Sequence, residues 1–198
     1  RKGHWALFNA SPGPTGSPSP DLPAESAFAG HKGVVVLRSG KGDRARALLV
    51  RGGANLLAQD DQLALFVYDK GRLMTEDVGY HLAGSHVHRG WGMRAISHAM
   101  ATVNEDLPTS QGYAFVPSAS LIALEDLGGV KVAEYSGPLS RTHQGATEYR
   151  RALIFCDVDE ATSYALDILL VAGGRIHDYA INGPKFAEGD SGSFTVEG

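Results

Sequence analysis

The segment Gln59–Tyr80 places apolar and β-prone residues on both sides of one turn, and this most restricts what the chain can fold into. The turn, Asp69–Gly71, is typical of a β-hairpin. A glycine- and histidine-rich loop, His81–Gly92, follows the hairpin, and the next run, Ser97–Asn104, is again typical of a strand. The centre of the chain is therefore predicted to be antiparallel β-sheet.

Strand-like runs continue over the rest of the chain. About a dozen of them recur at roughly 8–15-residue spacing without a strong helical period, which predicts an all-β fold, a large antiparallel β-sandwich. Outside the central segment the predicted strands are His4–Asn9, Gly33–Arg38, Arg44–Arg51, Ser118–Leu124, Val130–Tyr135, Glu148–Val158, Thr162–Ala172, Arg175–Ile181 and Ser193–Val196. Residues 1–30 are interpreted as an extended Pro/Gly/Ser-rich lead-in, so residues 1–198 form one predicted module.

Composition and charge exclude several classes of function. The chain has 198 residues, 43% of them hydrophobic and 20% charged, which is typical of a folded domain with a substantial core. A formal charge of -4 provides no basic surface for nucleic acid. No apolar run is long enough to cross a membrane. Neither nucleic acid nor a membrane is therefore expected as a partner. The chain begins at Arg1 without a signal-peptide pattern, and we expect it to be a piece of a longer protein.

The ends of the three central strands bring candidate metal ligands together. They place Gln59 or Asp61, Asp77 and His98 within reach of one another, and a carboxylate, an imidazole and a side-chain oxygen that converge on one point could hold a metal, zinc being the ion that the family resemblance described below implies. Calcium is the less favoured ion, with oxygens from Asp60 and Asp61. The alternative is a metal-free cluster, in which Asp77 and His98 form a buried hydrogen-bonded pair with Gln59 that holds the strands in register.

Several motifs share their order and spacing with one family. They are D-x-L-x-L at Asp61–Leu65, D-x-G at Asp77–Gly79, S-H-x-x-x-x-V at Ser97–Val103, and S-Y-x-x-D followed by G-G-x-x-H-D within Ser163–Tyr179. Together they resemble the C-terminal β-sheet domain of heparinase II/III-like polysaccharide lyases, a group that includes related alginate lyases. The resemblance extends over roughly three quarters of the chain.

The resemblance implies a reaction and a compartment. These lyases cleave uronic-acid polysaccharides by β-elimination, and their location is periplasmic or extracellular. In the family a histidine-rich motif, H-x-H-x-D-x-L, precedes the first strand. Its second histidine binds zinc together with the aspartate of D-x-G and the histidine of S-H, here Asp77 and His98. The two motif histidines fall on Leu57 and Gln59, and a neutral amide is a weak ligand for zinc.

The resemblance also implies a partner. Much of the lyases' catalytic machinery, including a tyrosine, belongs to an N-terminal helical toroid domain, and these 198 residues contain no such helical pattern. We therefore expect the isolated chain to be inactive, with an anionic polysaccharide or the missing toroid domain as its partner. The alternatives are a non-catalytic glycan-binding module and a structural β-sandwich whose open edges pair with neighbours in a homo-oligomer.

The central loop supplies the weaker candidates for catalysis and substrate binding. His86 and His88 alternate and face one way if the loop is extended, so they are catalytic candidates together with Tyr80, although surface loop histidines are the plainer interpretation. The residues predicted to bind substrate are Trp91, Arg94 and Arg150. An aromatic plane stacks on a sugar ring and guanidinium groups pair with uronate carboxylates. The alternative for the arginines, Arg151 included, is a solvated strand face.

Overall fold

The computed structural model describes residues 25–54, 59–69, 71–75, 77, 82, 84–106, 118–137 and 145–183. Within these residues, eleven strands form three antiparallel sheets. The strands are β1 Ala27–Ala29, β2 Val34–Ser39, β3 Arg46–Arg51, β4 Leu65–Asp69, β5 Arg72–Leu73, β6 Ala101–Val103, β7 Ser120–Asp126, β8 Val130–Ser136, β9 Ala146–Asp157, β10 Ser163–Gly173 and β11 His177–Tyr179. The predicted all-β sandwich is confirmed, whereas the predicted strands His4–Asn9 and Ser193–Val196 lie outside the described residues.

Five short helical turns connect these strands. They are Gly30–Lys32, Gly42–Arg44, His88–Gly92, Ala95–Ser97 and Asn104–Asp106. None of the helices in the described part of the chain is long and apolar enough to span a membrane.

The first sheet contains β1 to β5 in chain order, each strand antiparallel to the next. Alternate residues of β2 and β3, such as Val35, Leu37 and Leu48, are fully buried on one face because side chains alternate across a strand. The predicted hairpin is confirmed, since Asp69 pairs with Arg72 across a tight turn. Its strands are shorter than predicted: β4 begins only at Leu65.

The second sheet has the order β10-β9-β8-β7, so each strand again pairs with its neighbour in sequence. Its long hairpin pairs Ser163 with Asp157 at the turn and continues to Gly173 opposite Ala146, with one irregularity beside Gly173. The two sheets pack face to face on a buried core that includes Leu37, Leu48, Val50, Ala133, Tyr135, Tyr149, Leu153 and Phe155.

The third sheet is the two-stranded pair of β6 and β11, and it corrects one prediction. Within the predicted strand Ser97–Asn104 only Ala101–Val103 is a strand, because Ala95–Ser97 forms a helical turn. The backbone between them bonds to several separate elements: Ala99 accepts from the backbone N–H of Leu65 at 3.1 Å. A segment held by such scattered partners has no continuous strand ladder to join.

Candidate functional site

Asp77 and His98 form a direct pair at the edge of the sandwich. The Nδ1 atom of His98 lies 2.6 Å from Oδ2 of Asp77. The imidazole side chain is fully buried, and the carboxylate side chain is 22% exposed. The expected approach of these two residues is therefore observed.

The chain on both sides of this pair is tied to the sheets. On the Asp77 side, the buried hydroxyl of Thr75 accepts from the N–H of Val67 at 2.9 Å and donates to the carbonyl of Leu65 at 3.1 Å. On the His98 side, the Ser97 hydroxyl donates to the carbonyl of Arg94 at 2.8 Å. Both side chains of the pair are consequently positioned by anchored backbone.

Acidic neighbours determine the charge state of the pair. Burial by itself disfavours the imidazolium form of His98, but the hydrogen bond with Asp77 and the negative charges of Asp77, Asp61 and Asp60 outweigh it and raise the pKa of His98 above its usual range. Burial also raises the pKa of Asp61, against the opposing charges of Arg51 and His98. The site therefore concentrates negative charge around one imidazole.

The same geometry bears on the metal prediction. Gln59 donates from its amide to the carbonyl of Gly92 at 3.3 Å, so its nitrogen faces the loop. The buried Nε2 atom of His98 has no hydrogen-bond partner in the described part of the chain, and a metal-bound histidine usually donates its other ring N–H to a carboxylate, as Asp77 here would accept. However, no three His, Cys, Asp or Glu side chains among the described residues are grouped to hold a metal ion. Zinc bound by Gln59, Asp77 and His98 thus stays a prediction, as does calcium bound with oxygens from Asp60 and Asp61.

Arg151 connects the site to the centre of the sandwich. Its side chain is completely buried and forms a two-pronged ion pair with Asp167, with Nε–Oδ1 at 2.8 Å and Nη2–Oδ2 at 2.6 Å. Its remaining nitrogen donates to the carbonyls of Leu63 and Ala99, the second at 2.6 Å. Because Ala99 directly follows His98, Arg151 fixes the backbone that carries the imidazole.

Tyr149 holds the next part of the same segment. Its buried hydroxyl donates to the carbonyl of Ala101 at 2.9 Å and accepts from the N–H of Ala101 at 3.1 Å. Burial raises the pKa of the Tyr149 phenol, so the group stays protonated and keeps its donor.

The sequence-based interpretations of Arg151, a partner for a uronate carboxylate or part of a solvated strand face, both missed its burial in the core. The alternation of the strand was a signal for its burial. Arg151 shares one face of β9 with Tyr149, Leu153 and Phe155, and this face is directed towards the core. An arginine in such a row needs an acidic partner, and Asp167 occupies the equivalent inward row of the next strand.

The loop histidines are arranged differently from the extended geometry considered for them. Residues 86–92 are helical, so side chains two positions apart do not face the same way. His88 is 1% exposed, whereas His86 is exposed to solvent. Tyr80, the third candidate, and Leu57 lie outside the described residues.

The predicted substrate-binding residues divide between two places. Trp91, which is 46% exposed, and Arg94 lie three positions apart in the loop that Gln59 contacts. Arg150 lies on the sheet face opposite Arg151 and is paired with the carboxylates of Glu134 and Glu148. Binding of substrate by Arg150 stays a prediction that requires it to exchange these partners.

Three solved structures share this fold. Heparinase III is 18% identical, with a TM-score of 0.52, over 74% of this chain and 22% of its own. Heparan sulfate lyase HepC from Pedobacter heparinus is 20% identical, with a TM-score of 0.58, over 75% and 22%. The heparinase III-BT4657 gene product is 18% identical, with a TM-score of 0.59, over 77% and 23%.

These similarities support the predicted fold, which is shared with part of the heparinase III and HepC structures. The chain spans less than a quarter of the length of these proteins. No family model and no curated protein matches the sequence.

Proposed function

We propose that this chain is the β-sheet portion of a polysaccharide lyase that acts on uronic-acid polymers by β-elimination, and that it does not complete the reaction alone. The observation that carries the proposal is the buried Asp77–His98 pair, placed on a fold shared with part of heparinase III. The module contributes one wall of a substrate cleft, and a helical toroid domain contributes the other. Export to the periplasm or outside the cell belongs to the same proposal.

The chemistry of elimination explains why this portion is insufficient. The reaction needs a base for the proton α to the carboxylate and a group that neutralises the carboxylate. His98 is fully buried and paired with Asp77, so it is a positioning residue and has no access to a sugar. Within the described part of the loop, His86 is the exposed imidazole and His88 is buried.

Binding is assigned to the loop end of the sandwich. The exposed ring of Trp91 offers a stacking surface for a sugar, and Arg94 a positive charge for a uronate. The backbone N–H of Arg94 donates to the carbonyl of Trp91 at 2.8 Å, which fixes the turn that presents both residues. The loop binds glycan even where turnover is absent.

The test combines turnover and binding by the purified chain. Incubation with heparan sulfate or alginate is expected to produce no unsaturated ends, as measured by their ultraviolet absorbance. Weak binding to the polymer should be observed by calorimetry and should be lost in Trp91→Ala and Arg94→Ala. Arg44→Ala is the matched control, because Arg44 is exposed and precedes β3, at the other end of the sandwich from the loop.

Two results would contradict the proposal. Robust turnover by the isolated chain would mean that a base is present in the loop after all. Equal loss of binding in Arg44→Ala would mean that the polymer is held by diffuse charge and not by the loop.

A further inference from the structure

Strand β10 is a long sheet edge. It is eleven residues long and ends the four-stranded sheet, and among the described strands only β9 pairs with it. Native edge strands are normally short or interrupted by proline, lysine or a bulge. β10 contains no proline, lysine or arginine, and its one irregularity lies at its end beside Gly173. Its only charged residue, Asp167, turns inward to Arg151. Within the described part of the chain, the outer backbone edge of β10 is therefore a template for another strand.

The outer row of β10 itself is apolar, although Arg150 of β9 lies opposite Leu170 on the same face. Tyr164, Leu166, Ile168 and Leu170 alternate along β10 and are about half exposed, between 47% and 52%. Leu166 lies opposite Ile154 of β9, which lies opposite Val132 of β8, so the apolar row continues across the sheet. A second sheet that joins the edge would extend this face without burying a charge.

We propose that β10 pairs antiparallel with β10 of a second copy of this chain, about a two-fold axis at Ile168, and joins two four-stranded sheets into one of eight strands. Ile168 is the midpoint of Ser163–Gly173, so this register alone pairs the whole strand. It places Leu166 opposite Leu170 and keeps the outer row of both copies on one face.

The second copy is favoured over a foreign strand because β10 is complementary to itself. Odd-numbered residues face odd-numbered ones across the axis, and even-numbered residues face even-numbered ones. In the outer row Ile168 therefore meets Ile168, Leu166 meets Leu170 and Tyr164 meets Ala172, so each large apolar side chain has an apolar partner. In the inner row Asp167, which is paired with Arg151 of its own copy, lies opposite Leu169. The neighbouring symmetric register, centred on Asp167, would place two aspartates opposite each other, which is unfavourable. The proposal is independent of the lyase function, since it uses the edge and outer face and not the loop.

Sedimentation equilibrium of the full 198-residue chain tests the proposal. The wild type is expected to dimerise with increasing concentration, and Ile168→Lys to raise the dissociation constant at least ~10-fold, about 1.4 kcal/mol. The two introduced lysines would oppose each other across the axis at a Cβ separation of about 5 Å. Ile122→Lys is the matched control, because Ile122 is 52% exposed on β7, the other edge strand of the same sheet. Circular dichroism checks that both variants are folded.

Cysteine cross-linking tests the register separately. With Cys156 replaced by serine, Ile168→Cys should form an intermolecular disulfide on mild oxidation, since residues on the axis approach within the range that a disulfide spans. Leu166→Cys should not, because position 166 faces position 170. A chain that stays monomeric up to high micromolar concentration, an equal effect of Ile122→Lys, or preferential cross-linking at position 166 would overturn the proposal.

Discussion

Replacement of Arg151 by methionine is expected to cause a large loss of stability. Methionine has a similar length and fits an apolar core, but it removes the partner of the Asp167 carboxylate. It also removes the donor to the carbonyls of Leu63 and Ala99. Because the Arg151 side chain is completely buried and Asp167 is 19% exposed, little water is available to replace these bonds.

The magnitude follows from the loss of one partner of a buried ion pair, about 3–5 kcal/mol in the free energy of unfolding. In a domain of this size each kcal/mol corresponds to about 2–4 °C, so the melting temperature should fall by about 6–20 °C. The double variant Arg151→Met/Asp167→Leu should recover part of the loss, because it leaves no unpaired charge.

Urea and thermal denaturation measure the effect, and the neighbouring arginine supplies the control. Arg150→Met changes the same residue type one position away, on the opposite face, where the side chain is partly exposed and paired with Glu134 and Glu148. Its melting temperature should change far less than that of Arg151→Met. Equal effects of the two substitutions, or a loss below about 1 kcal/mol for Arg151→Met, would refute the reasoning that burial decides the contribution.

Three further predictions concern the site and the core. His98→Ala should lower the free energy of unfolding by about 1–3 kcal/mol because it removes the buried imidazole and its hydrogen bond with Asp77, whereas Asp77→Asn, which keeps a hydrogen-bonding group, should lower it less. If Gln59, Asp77 and His98 bind a metal, elemental analysis should find near-stoichiometric zinc or calcium that is lost in His98→Ala, and a chelator should lower the melting temperature. A metal-free protein whose melting temperature does not respond to the chelator would remove the metal prediction and leave the hydrogen-bonded pair. Burial raises the pKa of Tyr135 to about 12, so its stabilising contribution is complete below pH 10, the ordinary phenol value, and is lost as pH rises from about 10 through 12. Tyr135→Phe should make the alkaline fall in stability shallower, and an unchanged slope would mean that other groups cause it.

Local residue patterns predicted most of the strands, because the alternation of side chains that is typical of a strand is visible within a few consecutive residues. The alternation of β8, β9 and β10 indicated strands within two residues of their observed bounds. The hairpin turn before Arg72 was recognisable from its aspartate and glycine, and Gly71 has the positive φ of 79° that such turns favour. These features depend on neighbours within a few residues, which a sequence displays directly.

The candidate site was only partly predictable. The approach of Asp77 to His98 followed from strand ends and from the family motifs, and the structure brings the two together. The helical conformation around His88 did not follow, since a glycine- and histidine-rich loop has no period that selects one geometry.

The alternation of β9 places Arg151 in the row that faces the core, but only the tertiary structure decided which groups pair with it there. Its carboxylate partner, Asp167, is sixteen positions away along the chain. Tertiary contacts also explain the irregular backbone around Ala99. The Ala99 carbonyl accepts hydrogen bonds from Arg151 and from Leu65, which belong to two different strands. Sequence therefore determined which segments became strands, whereas long-range pairing of buried polar groups determined how the loops between them were held.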